Sequence, residues 1–354
     1  MQVADSFKTR FDLRLKKILS IHFDLQTGSK YWINRARNLG MDVLSEIQTE
    51  QDLHRFGVMP LEDLSKYPVE DFIPKRFLET KRPYVIASTG GRTGKPKTTA
   101  YFRDEFESVF VDNFVQSALK AGFPEGSNWL WIGPGGPHII GRAAYAIATA
   151  MSGHEPFSID FDPRWFRKLA EGSMARRRYM EHLLEQAYAV IESQRIDVLF
   201  TTPVVLRFLT KIMIRQDREA IRGIYLGGMS VTPDDHNFFL REFPNAVMMA
   251  GYGNTLLGVC DTDVSLNSLG DEPIRYKVPS ERIFIKMIHG SEAADLHNIV
   301  KEGERGRLVV HRIDESVFLP NVVESDTAVR LPDGYLGDPQ PFINQAHKIS
   351  VGIY

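Results

Sequence analysis

The apolar positions change period along the chain. Phe7, Phe11, Leu15 and Ile18 recur three or four apart, as on one face of a helix, and residues 3–53 keep mainly that spacing. Pro60, Pro68 and Pro74 punctuate residues 58–77, which predicts irregular chain with short helical turns. Short β-type runs then alternate with helical ones. Tyr84-Val85-Ile86-Ala87 and Thr98-Thr99-Ala100-Tyr101-Phe102 read as strands, and 104–121 reads as a helix closed by Gly122 and Pro124. Strand 129–132, small-residue helix 139–151, strand 157–161, a helical stretch 164–194 broken near Gly172, and strand 197–200 follow. Thr202-Pro203 and Thr232-Pro233 each set an N-cap before a proline at the first helical position. They open helices to about 214 and to 243, with strand 224–226 between them and strand 246–250 after. This alternation predicts a parallel sheet with right-handed crossovers. After about residue 255 the helices drop out, leaving strands 257–260, 274–276, 283–287 and 308–311, and a turn-rich end over 332–354. The expected organisation is a helical N-terminal cap over 1–80, an α/β core over 81–254, and a β-rich subdomain with a C-terminal tail over 255–354.

Composition narrows the function classes. With 354 residues, 43% apolar and 25% charged, the chain matches an ordinary globular protein of two domains or subdomains. A formal charge of -2 exerts no global pull on nucleic acid, and Arg176-Arg177-Arg178, close to Glu181 and Glu185, reads as a solvated helix face. The single cysteine, Cys260, excludes an internal disulfide framework, fits a reducing compartment and sits in an apolar run as a buried thiol. The N-terminus lacks a signal-peptide core, and the low-polarity stretch 139–151, which contains Arg142, is too short to span a bilayer. A cytoplasmic protein without membrane or nucleic-acid partners is expected.

The densest chemistry lies in Ser88-Thr89-Gly90-Gly91-Arg92-Thr93-Gly94-Lys95-Pro96-Lys97, between two of the strands. Glycines free backbone N–H groups to converge on an anion, while Lys95, Lys97 and Arg92 add charge and Ser88, Thr89 and Thr93 add hydroxyl donors. A polyphosphate suits that inventory; a basic turn without a ligand is the plainer alternative. The P-loop pattern fails, because Thr89 stands five residues before Gly94 and Pro96 follows Lys95. Two further glycine loops, Gly227-Gly228-Met229 and Gly251-Tyr252-Gly253-Asn254-Thr255, fall at the carboxyl ends of strands, where open α/β sheets bind ligands. Tyr252 offers a stacking face or is a core aromatic; His138, at a strand-to-helix turn, meets a ligand or merely packs the turn. Other chemistries lack their spacing: His154-Glu155 runs into Pro156, Ser230 lacks the glycine of a nucleophile elbow, and Gly251-Tyr252-Gly253 lacks the third dinucleotide glycine.

Residues 89–97 resemble the Ser-Ser-Gly-Thr-Thr-Gly-Lys-Pro-Lys signature of the adenylate-forming superfamily, which holds acyl- and aryl-CoA synthetases, nonribosomal adenylation domains and luciferase. Thr89, Gly91, Thr93, Gly94, Lys95, Pro96 and Lys97 fit; Gly90 replaces a hydroxyl residue and Arg92 a threonine. The resemblance runs over about residues 30–330 and is best for the phenylacetate-CoA-ligase-like branch. It implies an α/β fold: the superfamily's large N-terminal domain, with parallel-sheet subdomains and a β-rich one, lacking the small C-terminal domain because the chain stops at Tyr354. A piece of a longer enzyme is the alternative.

The resemblance also implies roles. Thr93, Lys97 and Thr255 would carry the reaction; Ser88, Thr89, Gly90, Gly91, Arg92, Gly94 and Lys95 would hold the ATP phosphates. Tyr252, with Gly253 and Asn254, would stack on adenine against Gly227, Gly228 and Met229, and Asp326 would meet the ribose. Trp131, His138 and Gly251 would line the site of a small-molecule carboxylic acid. Leu256 replaces the glutamate that helps hold Mg²⁺, so no protein metal ligand is expected and Mg²⁺ would rely on substrate phosphates and water. The activity implied is ATP-dependent formation of an acyl-adenylate, with CoA thioester formation not expected from this chain alone and the product left to a reductase or transferase. The branch suggests an aromatic acid. The chain's length resembles that of a truncated branch member in a phenazine-antibiotic pathway, which would make the acid a phenazine carboxylate. The rival is a non-catalytic ATP- or acid-binding relative.

Overall fold

In the computed structural model the described residues are 2–89, 95–136, 138–270, 273–278, 281–291 and 294–342. They form two compact units. The first takes described residues from Met1–Val109, Thr255–Gly258 and Val278–Lys348, and the second takes Phe110–Asn254 and Val259–Lys277.

In the first unit the periodicity of the N-terminus becomes the helix Gln2–His22, which buries Phe11, Leu15 and Ile18 completely. Phe11 lies 5.2 Å from Phe284. A second helix, Lys30–Leu39, ends on Gly40, whose φ of 63° is the left-handed conformation that a side chain resists. Its Trp32 donates from the indole nitrogen to the Phe318 carbonyl at 2.9 Å, and the ring sits among Phe23, Phe56 and Phe318. Burying aromatics of this size contributes roughly 1.5–3 kcal/mol each, which ties the helical cap to the sheet beside it. That sheet runs antiparallel through Ile283–Ile288, Arg305–Ile313, Phe318–Arg330 and Leu336–Pro341. The expected strand 308–311 is the middle of Arg305–Ile313, and the strands Phe318–Arg330 and Leu336–Pro341 add to the expected set. In Phe318–Arg330, Pro320 and Asn321 break the alternation. Asn321 takes a φ of 51°. Its N–H donates to His311 Nδ1 at 3.0 Å and its amide to the carbonyls of Leu53 and Gly57 at 2.5 and 2.9 Å. A separate antiparallel hairpin pairs Tyr84–Ser88 with Thr98–Phe102, from Tyr84↔Phe102 to Ser88↔Thr98.

The second unit is built on a sheet whose order is Phe157–Asp160, Trp129–Gly133, Val198–Thr201, Gly223–Leu226, Val247–Asn254 and Gly258–Asp261. The pairs from Phe157–Asp160 through Val247–Asn254 are parallel. The expected helix starts hold. Thr202 Oγ1 accepts from Val205 N at 3.3 Å ahead of Pro203, and Thr232 Oγ1 accepts from Asp235 N at 3.0 Å ahead of Pro233. The helix expected to reach about 214 closes earlier, as Pro203–Leu209, and another, Arg215–Ala220, follows it. The register sets Trp131, Phe200, Tyr225 and Met249 side by side across neighbouring strands, all on one face. Trp131 and Phe200 pack at 4.5 Å, Phe200 and Tyr225 at 4.4 Å, and Phe114 of the helix Asn113–Ala121 lies 4.5 Å from Tyr225.

Candidate functional site

In the first unit the hairpin that carries the predicted phosphate loop is closed at its neck. Thr89 N donates to the Lys97 carbonyl and Lys97 N to Thr89 Oγ1, both at 2.9 Å, so each end of the loop holds the other. Ser88 and Thr98 hydroxyls meet at 3.3 Å, and Ser65 Oγ donates to the Pro96 carbonyl at 3.0 Å. Lys95 is exposed and Lys97 half-buried. Gly90, Gly91, Arg92, Thr93 and Gly94 lie outside the described residues.

Behind this neck the hairpin is fixed by buried charge. Arg312, fully buried, donates from Nη1 to Thr99 Oγ1 at 2.9 Å, from Nη2 to the Ala100 carbonyl at 2.6 Å, and from Nε to Asp314 Oδ2 at 2.6 Å. Its guanidinium lies 3.5 Å from the Tyr101 ring centroid, a cation over an aromatic face. Glu105 accepts from Phe102 N, Glu315 N and Ser316 N at 2.9, 2.7 and 3.2 Å. Burial, and then the Asp314 charge, push its carboxyl up to about 7. Tyr101, fully buried, donates its hydroxyl to the Thr255 carbonyl at 2.8 Å. Thr255 is itself 8% exposed, so within one unit the structure brings this threonine and the phosphate hairpin together. Asp326 stands inside the strand Phe318–Arg330, half-buried and opposite Pro341.

In the second unit the remaining predicted residues gather at the carboxyl ends of the parallel strands. Gly227 N donates to the Thr201 carbonyl at 3.1 Å, and Gly228 takes a φ of 75° before the half-buried Met229. Gly251, Tyr252, Gly253 and Asn254, expected as a loop, are the last residues of the strand Val247–Asn254. Tyr252 is half-buried with its ring 6.1 Å from Tyr276, and Gly253 is exposed. Two residues beyond the aromatic row, the same face carries Gly133, Gly227 and Gly251. A Cβ on Gly251 would stand 2.2 Å from the Tyr225 hydroxyl, and one on Gly227 would stand 3.5 Å from Phe200. The Tyr225 ring therefore fills the space that a side chain at Gly251 would take, and all three glycines are buried. Trp131, expected to line a substrate site, is 2% exposed and packs into the aromatic row. His138 N-caps the helix Ile139–Ser152 through its backbone, and burial, with Arg164 close by, holds its imidazole below the usual range. The Gly135 N–H nearby donates to Asp160 Oδ1 at 2.7 Å.

Beneath Gly251 the Tyr225 hydroxyl donates to Asp261 Oδ1 at 2.5 Å while Asn113 donates to Asp261 Oδ2 at 2.8 Å. Burial pushes the Asp261 carboxyl up to about 7 against the pull of those two bonds. Sequence reasoning did not select Tyr101, Arg312, Tyr225 or Asp261. The one signal available was chemical: a tyrosine or aspartate inside an apolar run needs a buried partner. Cys260 is the buried thiol expected, its pKa raised by burial. For Mg²⁺, residues 255–257 offer a hydroxyl followed by two buried leucines, so that segment supplies no carboxylate. Among the described residues no cluster of histidine, cysteine, aspartate or glutamate is placed to hold a metal, and no helix is long and apolar enough to cross a membrane.

No protein-family model matches the sequence, and no curated protein matches it. Solved structures do. 2-Hydroxyisobutyryl-CoA ligase in complex with 2-HIB-AMP and CoA in the thioesterification state is similar at a TM-score of 0.66 and 12% identity, over 93% of this chain and 66% of that one. An open conformation of that ligase with the same ligands gives 0.64 and 12%, over 94% and 73%. Its postadenylation state with R3-HIB-AMP gives 0.66 and 12%, over 93% and 66%. The chain thus spans just under two thirds of that ligase in two of the three comparisons. With its parallel sheet and its β-rich antiparallel sheet, the chain has the mixed α/β fold of the large N-terminal domain of adenylate-forming enzymes.

Proposed function

We propose that the chain activates a carboxylic acid with ATP. A carboxylate oxygen attacks the α-phosphorus, the bond from that phosphorus to the bridging oxygen breaks, and pyrophosphate leaves with the electron pair, yielding an acyl-adenylate. The observation that carries this reading is the closed hairpin neck at Thr89 and Lys97 on a fold shared with a ligase seen with an acyl-AMP. The hairpin's part is to neutralise charge on the departing pyrophosphate through Lys95 and Lys97 and to orient it through the hydroxyls of Ser88, Thr89 and Thr93. Thr255 adds a hydroxyl to the same task. Tyr252 supplies a stacking face for adenine beside Gly227, Gly228 and Met229, and Asp326 an acceptor for ribose hydroxyls. Residues 255–257 add no carboxylate for Mg²⁺.

The acid we favour is flat and aromatic, a phenazine carboxylate among the candidates. The half-buried Tyr252 at the strand ends, with the aromatic row of Trp131, Phe200 and Tyr225 in the same sheet, supports this. His138 borders the same strand ends. The product would pass to a reductase or transferase. One observation favours a second reading, a non-catalytic ATP or acid binder: Leu256 follows Thr255 and is 5% exposed. Acid-dependent exchange of labelled pyrophosphate into ATP, measured over aromatic, phenazine and aliphatic acids, separates them. Exchange with aromatic acids is expected; binding of ATP without exchange for any acid would leave the binder, and a preference for long aliphatic acids would remove the aromatic substrate.

A further inference from the structure

The phosphate hairpin and Thr255 are joined by one side chain. Tyr101 is the fourth of the five residues of the strand Thr98–Phe102, four residues past Lys97, and is completely buried. Its hydroxyl reaches the Thr255 carbonyl at 2.8 Å, across 154 residues of sequence. Its ring is held against the Arg312 guanidinium at 3.5 Å, while the same guanidinium grips Thr99 Oγ1 and the Ala100 carbonyl. Three consecutive residues of the strand are thus fixed by one buried cation, which is in turn held by Asp314 at 2.6 Å. The strand extends about 3.3 Å per residue, so Tyr101 is a rigid arm about 13 Å long measured from Lys97. Lys97 is locked at the neck by Thr89, and Thr255 is held at the far end.

A triphosphate losing pyrophosphate develops charge over several oxygens at once, and a cation and a hydroxyl help only at fixed spacing; misplacement by about 1 Å can cost about 100-fold. Thr255 is followed by Leu256 and Leu257, both buried, so its backbone is set by packing and by Tyr101. We infer that Tyr101, backed by Arg312, is a positioning residue that holds the Thr255 segment in register with the phosphate hairpin while the acid is activated. This rests on the acid-activation reading above. Tyr101 touches no reacting atom; it acts through the carbonyl of Thr255.

The test is a double-mutant cycle with Tyr101→Phe and Thr255→Ala on the full chain. Phenylalanine keeps the ring and the Arg312 contact and removes only the hydroxyl. Turnover in acid-dependent pyrophosphate exchange and affinity for ATP are both measured, with Tyr31→Phe as a control: its hydroxyl donates to Asp63 at 2.8 Å, in the same unit, without touching the hairpin. Tyr101→Phe should lower kcat about tenfold, leave KM for the acid within about twofold, and have less than about a twofold effect once Thr255 is alanine. An equal drop in both backgrounds, or a matching drop in Tyr31→Phe, means a merely structural role and overturns the inference, as does unchanged turnover. Should the wild-type chain bind ATP without exchanging pyrophosphate, acid activation falls. The cycle is then read in ATP affinity: a loss confined to the Thr255 background supports the inference, and no loss overturns it.

Discussion

The hairpin of Tyr84–Ser88 and Thr98–Phe102 and the carboxyl edge of the parallel sheet solve one problem, holding a backbone still, with opposite materials. The hairpin is set by directional groups: Arg312, Asp314, Glu105, Thr99 and Ser316 make a buried network in which nearly every polar atom named is engaged. The sheet edge is set by rings, Trp131 on Phe200 on Tyr225, with a single polar exit through Asp261. Directional networks fix register but fail abruptly when one partner is lost, since the remainder is stranded in low dielectric. Ring packing tolerates change gradually, according to volume.

This contrast can be broken most severely at Arg312. Arg312→Met should destabilise the first unit by about 3–5 kcal/mol, because Asp314 and the Ala100 carbonyl lose a fully buried donor. Urea unfolding followed with the wild type in parallel measures it, and a loss below about 1 kcal/mol would mean the network is not what holds the hairpin. Lys97→Ala separates holding from chemistry: turnover in pyrophosphate exchange should fall about 100-fold with the thermal midpoint unchanged, the side chain being half-buried and at the loop's mouth. On the ring side, Gly251→Ala drives a methyl to within 2.2 Å of the Tyr225 hydroxyl. The cost should be about 1–3 kcal/mol, the usual range for overpacking, and Tyr225→Phe in the same chain should return part of it.

A further test of the sheet side is pH dependence. Burial raises the Asp261 carboxyl from the ordinary aspartate value of 3.8 to about 7. The folded state therefore holds a proton that the unfolded chain has released between those values. Its contribution to stability is complete below about pH 4 and is lost as pH rises through about 7. Glu105, also raised to about 7, acts with the same sign in the other unit. Asp261→Asn should flatten the fall in unfolding free energy between pH 4 and 7 without abolishing it, since Glu105 remains. An unchanged slope would show that Asp261 stays ionised in the fold.

Much of this was legible in sequence where local chemistry decides the structure. The break between the strands Tyr84–Ser88 and Thr98–Phe102 is written in the glycines and proline that separate them, and the helix starts in Thr202-Pro203 and Thr232-Pro233, because glycine frees the backbone and proline restricts it. Partnerships were not legible. Tyr101 finds Thr255 154 residues on, and Arg312 finds Ala100 212 residues back, distances at which no periodicity carries information. The strand Phe318–Arg330 was hidden for the same reason. Pro320 and Asn321 interrupt it with a register shift at which Asn321 takes a φ of 51°, and hydrogen bonds from Asn321 to His311, Leu53 and Gly57 hold that irregular point.

The pairing of Trp32 with Phe318 has a consequence for how the protein is made. The two residues are 286 apart in the chain, and at about 5–20 residues per second the ribosome needs roughly 15 to 60 seconds to reach the second after the first. Throughout that interval Phe23, Trp32 and Phe56 lack Phe318, the ring on which they close. The stretch from Phe110 to Asn254, by contrast, is contiguous and can assemble as it emerges. Synthesis thus leaves the N-terminal aromatics waiting longest for the ring that completes their cluster.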